Sequence, residues 1–195
     1  MTHHKTQSGF ALLMTLLVVA VVVSITATII ELTLKQLALS VTAKDSEIAF
    51  HAANAGMECA RYVRRYASTT IENPSENRVN FECFGQTNQR LDRRGHSLNV
   101  SGGNGLVHYY EGEVSWGSGD RCSQVDMVTM IVDETATGDM TINNFNSMFA
   151  GFPASKTKAC PPGGICTVAE VTGFNRPCGS LLGSGVVRRE ILLEF

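Results

Sequence analysis

The stretch FALLMTLLVVAVVVSITATII, residues 10–30, carries no charged side chain. It constrains the fold more than any other feature. A helix crossing the hydrocarbon core of a bilayer needs roughly 20 such residues. The apolar core of a cleavable secretory signal is shorter, about 7 to 15 residues, and a small-residue site follows it. This run is too long for that, and no A-x-A site closes it. Upstream, MTHHKTQSG (1–9) is polar and free of acids, with one basic residue, Lys5. The run therefore predicts a single membrane span with the Lys5 side in the cytoplasm and the remainder outside.

Helical character continues past the apolar run. Residues 31–66, from Glu31 to Tyr66, contain good helix formers and no proline. Ile48, Ala52, Ala55, Cys59, Tyr62 and Tyr66 recur at spacings of three and four, which predicts one packed stripe. Ala49, Ala52, Ala53, Ala55 and Gly56 leave that surface shallow enough for another element to approach closely. Gly56 costs roughly 1 kcal/mol relative to alanine inside a helix, so a packing or bending role is expected of it. One helix from Phe10 to Tyr66 would be on the order of 85 Å long. Its stop is expected in STTIENPSEN, around Pro74.

Beyond the stop the period shortens toward two. VNFECF (79–84), LVHYYEGEVSW (106–116), VDMVTMIVD (125–133), TVAEVTGF (167–174) and VVRREILLEF (186–195) read as strands. The last strand is expected to pair with 178–182 through the turn at 183–185, and 141–156 reads as loop or short helix. Together these elements predict an α+β fold: a long N-terminal helix packed on a small antiparallel sheet. Six cysteines occur without a C-x-x-C pair, which disfavours a zinc site. An even count behind an export-like N-terminus fits disulfides in an oxidising compartment. Sequence leaves their connectivity open. The preferred set joins Cys59 to Cys83, tying helix to first strand, closes a local loop with Cys160 and Cys166, and leaves Cys122 for Cys178.

The net charge of -2 points neither to nucleic acid nor to an acidic tail. Metalloprotease, nucleophile-elbow and phosphate-loop motifs are missing, so neither an enzymatic activity nor a cofactor is expected. Gly102–Gly105 and Gly183–Gly185 read as turns. His51, beside Glu47 on the helix, reads as solvated or packing. Asp133, Glu134 and Asp139 lack calcium-loop spacing and read as an acidic turn. Arg61, Arg64 and Arg65 suit a helix C-terminus. Tyr109, Tyr110 and Trp116 read as sheet core.

The segment SGF-ALLMTLLVVAVVV resembles the leader of type IV pilins and pseudopilins, and EIAFHAANAGMECARY resembles a segment of their minor, pilin-like members. The final strands, GFNRPC…RREILLEF, resemble theirs more loosely. The resemblance implies a leader (1–9) cut between Gly9 and Phe10 by a prepilin peptidase, with methylation of the new Phe10 amine. It implies a transmembrane and assembly helix (10–30), an amphipathic continuation (31–66) and an extracytoplasmic, disulfide-containing β-rich domain (67–195). The implied partners are membrane lipid before assembly, the peptidase, and other pilin subunits afterwards. Most major members carry glutamate at the fifth residue after the cut, where it is thought to neutralise a neighbour's amine in the filament core. This chain has Met14 there, which implies a minor or initiating subunit. The rival reading is a single-span membrane protein, residues 1–9 retained, whose outer domain binds a ligand.

Overall fold

The computed structural model describes residues 8–96, 98–149, 151–153 and 155–195. Positions 1–7 of the expected leader, Lys5 among them, lie outside the described residues. Two compact units divide at Lys44 and Asp45.

The first unit, up to Lys44, is the leading part of helix α1 (Ser8–Tyr66). Among its described side chains none is buried. The helix runs unbroken through this unit because no proline interrupts it and no glycine follows Gly9 before Lys44. Its hydroxyls turn inward on the helix itself. Thr15, Ser24, Thr26 and Thr33 donate to carbonyls three or four residues back, at 2.7–2.9 Å. Thr28 does the same toward Ser24 and Ile25. No hydroxyl of this set needs an external partner, which removes the main cost of placing it in an apolar medium. The first charged residues, Glu31 and Lys35, neutralise each other at 2.7 Å across one helical turn.

The second unit, Asp45–Phe195, holds the rest of α1, a short helix α2 (Ser68–Glu72) and, among the described residues, nine strands. These are β1 (Arg78–Cys83), β2 (Gln86–Arg94), β3 (Val100–Ser101), β4 (Gly105–Trp116), β5 (Arg121–Val132), β6 (Met140–Ile142), β7 (Lys158–Cys160), β8 (Ile165–Phe174) and β9 (Arg188–Glu194). Six form one antiparallel sheet in the order β1-β2-β4-β5-β8-β9, and β3-β6-β7 form a smaller antiparallel sheet. The expected architecture is present: a long helix, apolar over a membrane-spanning length, with its later turns packed on a small antiparallel sheet.

Alternation gives the large sheet two working faces. The inner face packs α1: Met57, Ala60 and Val63 meet Val114, Val125, Met127, Ala169 and Val171. The approach is close because glycine and alanine line the contact. A Cβ on Gly56 would come within 2.7 Å of Ser123 and Val171, and one on Gly173 would run into the Ala49 carbonyl and the Ala53 amide. Gly56 is thus a packing glycine. One end of the outer face carries a second cluster, in which Val128, Met130 and Val168 pack with Met140, Ile142 and Phe145.

Several expectations need correction. The packed stripe is rotated: Ala49, Ala52, Ala53, Cys59, Ala60 and Val63 are buried, whereas Tyr62 and Tyr66 are exposed. Small residues mark the contact because the helix backbone itself lies close to the sheet, leaving no room for a tyrosine. α1 ends at Tyr66 as expected, but a second helix, α2, intervenes before the turn at Pro74. Residues 178–182 do not pair with the last strand. Cys178–Ser180 form a 3-10 turn and β9 pairs with β8, while Asn175 holds the intervening segment through its side chain to Gly185 and Val187. The segment 141–156 begins inside β6 before its 3-10 turn at Phe145–Ser147.

Candidate functional site

Two surfaces bear chemistry. The first is the leading part of α1. Gly9 opens the helix with nothing near the place a side chain would occupy, and Phe10 and Met14 are exposed on it. An 18-residue window of this helix is apolar enough to cross a membrane and is entirely unburied by the protein. Its composition therefore favours an apolar surrounding that the described residues do not supply. Each large aliphatic or aromatic side chain removed from water there contributes about 1.5–3 kcal/mol.

The second is the disulfide-bonded unit. Its bridges join Cys59 to Cys83, Cys122 to Cys178 and Cys160 to Cys166, the set preferred from the sequence, with Cα separations of 5.9, 4.8 and 5.8 Å. Cys59–Cys83 pins α1 to the end of β1. Cys122–Cys178 links the start of β5 to the turn after β8, and Cys160–Cys166 closes the loop between β7 and β8. Polar ties supplement them. The Trp116 indole donates to Ser123 Oγ, which donates to the Ala52 carbonyl, both at 2.6 Å. Arg64 donates to Thr167 at 3.1 Å and to Glu72 at 3.0 Å, joining α1, β8 and α2. Tyr110 is fully buried and donates to the Ile71 carbonyl at 3.2 Å, so its reading as core holds.

Pairing places four acids in a single row across the outer face. Asp92 on β2 lies opposite Glu111 on β4, Glu111 opposite Asp126 on β5, and Asp126 opposite Glu170 on β8. Like charges directly opposite one another destabilise a sheet, so each acid's partners matter. Arg78 donates to Asp92 at 2.7 Å, with Arg90 at 3.4 Å, and holds its carboxyl below the usual range. Arg94 donates to Glu111 at 2.6 Å. The Tyr109 hydroxyl donates to Asp126 at 2.5 Å; burial, more than this bond, decides Asp126 and pushes its carboxyl up. Burial followed by the neighbouring Asp126 also pushes the Tyr109 phenol up. Glu170 has no such partner: Oε2 is buried and unpaired, and burial, Glu190 and Asp126 together raise its carboxyl to about 7. Three acids of the row, Asp92, Glu111 and Asp126, line an open polar groove of about 640 Å³ together with Arg90, Arg94 and Gln124 among others.

A second groove, about 690 Å³, runs between Arg61, Tyr62, Arg65 and Tyr66 of α1 and Ile165 and Phe195 at the sheet edge. Its charge is largely answered within the unit, since Arg61 pairs with Glu58 at 2.6 Å and Arg64 with Glu72. Glu113 lies within 4.8 Å of the sulfurs of Cys122 and Cys178. Those sulfurs are joined to each other, and the strong metal ligand is a thiolate. His51 stands 3.6 Å from Glu47 on an exposed helix face, and Asp133, Glu134 and Asp139 are exposed. Sequence reasoning missed the acid row. Its members lie far apart in the chain, and only strand register reveals them.

Compared with known protein families, curated proteins and solved structures, the chain matches none. What fold and surfaces define together is a membrane-associated α+β protein with an extracytoplasmic, disulfide-bonded domain, pilin-like in its general architecture.

Proposed function

We propose that this chain is a structural, non-catalytic subunit of a type IV pilus-like filament, and a minor or initiating subunit. One observation carries the reading: a single continuous helix whose leading turns are apolar, uncharged and wholly uncovered, and whose later turns are seated in a disulfide-bonded sheet. Such a helix needs cover twice. Lipid supplies it first. After cleavage between Gly9 and Phe10 and withdrawal from the bilayer, helices of neighbouring subunits supply it in a bundle. Met14 puts an apolar side chain where a pairing acid would otherwise neutralise a buried amine, and an unanswered charge in such a core is costly. A position at the end of a filament avoids that demand.

The mature N-terminus tests this directly. Mass spectrometry of the protein from its native membrane is expected to show a chain beginning at methylated Phe10. An intact Met1 would instead establish the single-span anchor. Gly9→Val is expected to abolish processing, and its recovery in filaments at the mature mass would refute the proposal.

A further inference from the structure

We propose that the carboxylate row across β2, β4, β5 and β8 is a proton-binding site, with Glu170 taking the proton and Asp126 as its partner. Acid then strengthens the outer face of the sheet and alkali loosens it.

The geometry sets this up in three ways. Register forces the acids together: residues directly opposite in an antiparallel pair hold their Cβ atoms about 4.5–5.5 Å apart, and Asp126 and Glu170 are such a pair. Neutralising partners fall away along the row. Asp92 has two arginines, Glu111 has one, Asp126 has a phenol, and Glu170 has neither cation nor hydroxyl. Glu170 also has apolar neighbours on the same face, since it lies two residues after Val168 and opposite Leu192, both part of the second apolar cluster. A carboxylate in that place is poorly hydrated and adjoins another negative charge. A carboxylic acid there is neutral and has a proton to donate toward Asp126.

The other groups around Glu170 do not reverse this. On β9, Glu190 adds repulsion and Arg188 offsets part of it, but Arg188 approaches Glu190 at 3.6 Å. Glu194, further along β9, is occupied by Lys156 at 3.4 Å and Lys158 at 2.8 Å. On β4, Glu111 is answered by Arg94, and Tyr109 is committed to Asp126. No cation is left to stabilise an ionised Glu170 among the described residues of the row.

The sign of the linkage follows. The carboxyl titrates near 7 in the fold against 4.5 ordinarily, so folding takes up a proton between those values. The associated stability is complete below the ordinary value and is lost as pH rises through about 7.

The test uses the full chain in detergent micelles with carbon-13 in the glutamate carboxyls. The Glu170 signal is assigned by its disappearance in Glu170→Gln. Its midpoint is expected near 7 and is expected to fall in Asp126→Asn, by only part of the shift because burial and Glu190 remain. A midpoint already in the ordinary range overturns the proposal, and one that ignores Asp126→Asn overturns the pairing. A second measurement covers pH 6.5 to 8.5. Over that interval the unfolding equilibrium constant of the native chain should rise about fourfold more than that of Glu170→Gln. Equal changes in the two proteins also overturn it.

Discussion

Gly173 faces α1 at a point where no side chain fits, because the obstacle on both sides is helix backbone. Gly173→Val is expected to destabilise the unit by more than about 3 kcal/mol, read as a lowered denaturation midpoint, since backbone cannot yield as a side chain would. Ser123 is a different case: its hydroxyl both accepts from Trp116 and donates to the Ala52 carbonyl in a buried place. Ser123→Ala should cost about 1–3 kcal/mol by leaving those groups unanswered. His108 is 1% exposed and neither ring nitrogen meets a hydrogen-bond partner among the described residues. Burial first, and the Arg93 charge second, hold its pKa below the ordinary value. The Glu72 and Val107 main chains approach it without forming a hydrogen bond of ordinary geometry, and favour the cation only slightly. The folded protein thus keeps a neutral imidazole that the unfolded chain protonates below about 6.5. Stability contributed this way is present above that value and lost as pH falls. His108→Leu should flatten the acid limb of the stability profile and raise stability at neutral pH by about 1 kcal/mol. Glu170 acts with the opposite sign between its ordinary value of 4.5 and about 7, so the two effects overlap below 6.5 and are told apart by comparing the pH series of the two single variants.

Among elements, the bridges grade by the length of chain they close. The sequence separations are 56 for Cys122–Cys178, 24 for Cys59–Cys83 and 6 for Cys160–Cys166. Replacing each pair by alanine should cost about 4, about 3.5 and about 2.4 kcal/mol, in that order, on the chain-entropy account. Chemical denaturation of the three double variants checks the ranking. Elements became legible in the sequence to the degree that one face was apolar and the run long. α1, β4, β5 and β8 met both conditions, so their presence could be read directly. β2 did not: in QTNQRLDRR only Leu91 is buried, because its outer face is solvated and Arg93 on the inner side donates to the Pro74 carbonyl at 2.6 Å. β6 and β7 have three residues each, too few to show a period. The helix stripe was displaced for a related reason. Burial there follows small size rather than hydrophobic bulk, and a pattern scored on tyrosines points to the wrong side. The acid row was invisible because it exists only in the register of strands, one of which had not been seen.

For the whole molecule, the uncovered stem makes a clear demand. Val19→Asp places a charge near the middle of the apolar run and should raise the cost of membrane insertion by about 2.5–3.5 kcal/mol. The expected result is loss of the protein from alkali-washed membranes, and full retention there would contradict a spanning role for residues 10–30. The placement of Cys59 has a mechanical consequence. Tension drawn through the stem reaches the second unit at Asp45 and first peels the turns before Cys59. It breaks the bond from Arg189 to Ser46 and then the contacts of Ala49 and Ala53 with Gly173. At Cys59 the load meets a covalent bond and passes into β1. Peeling is thereby limited to residues 45–58, roughly 20 Å of helix, and the oxidised head behaves under traction as a tethered weight with a fixed length of slack.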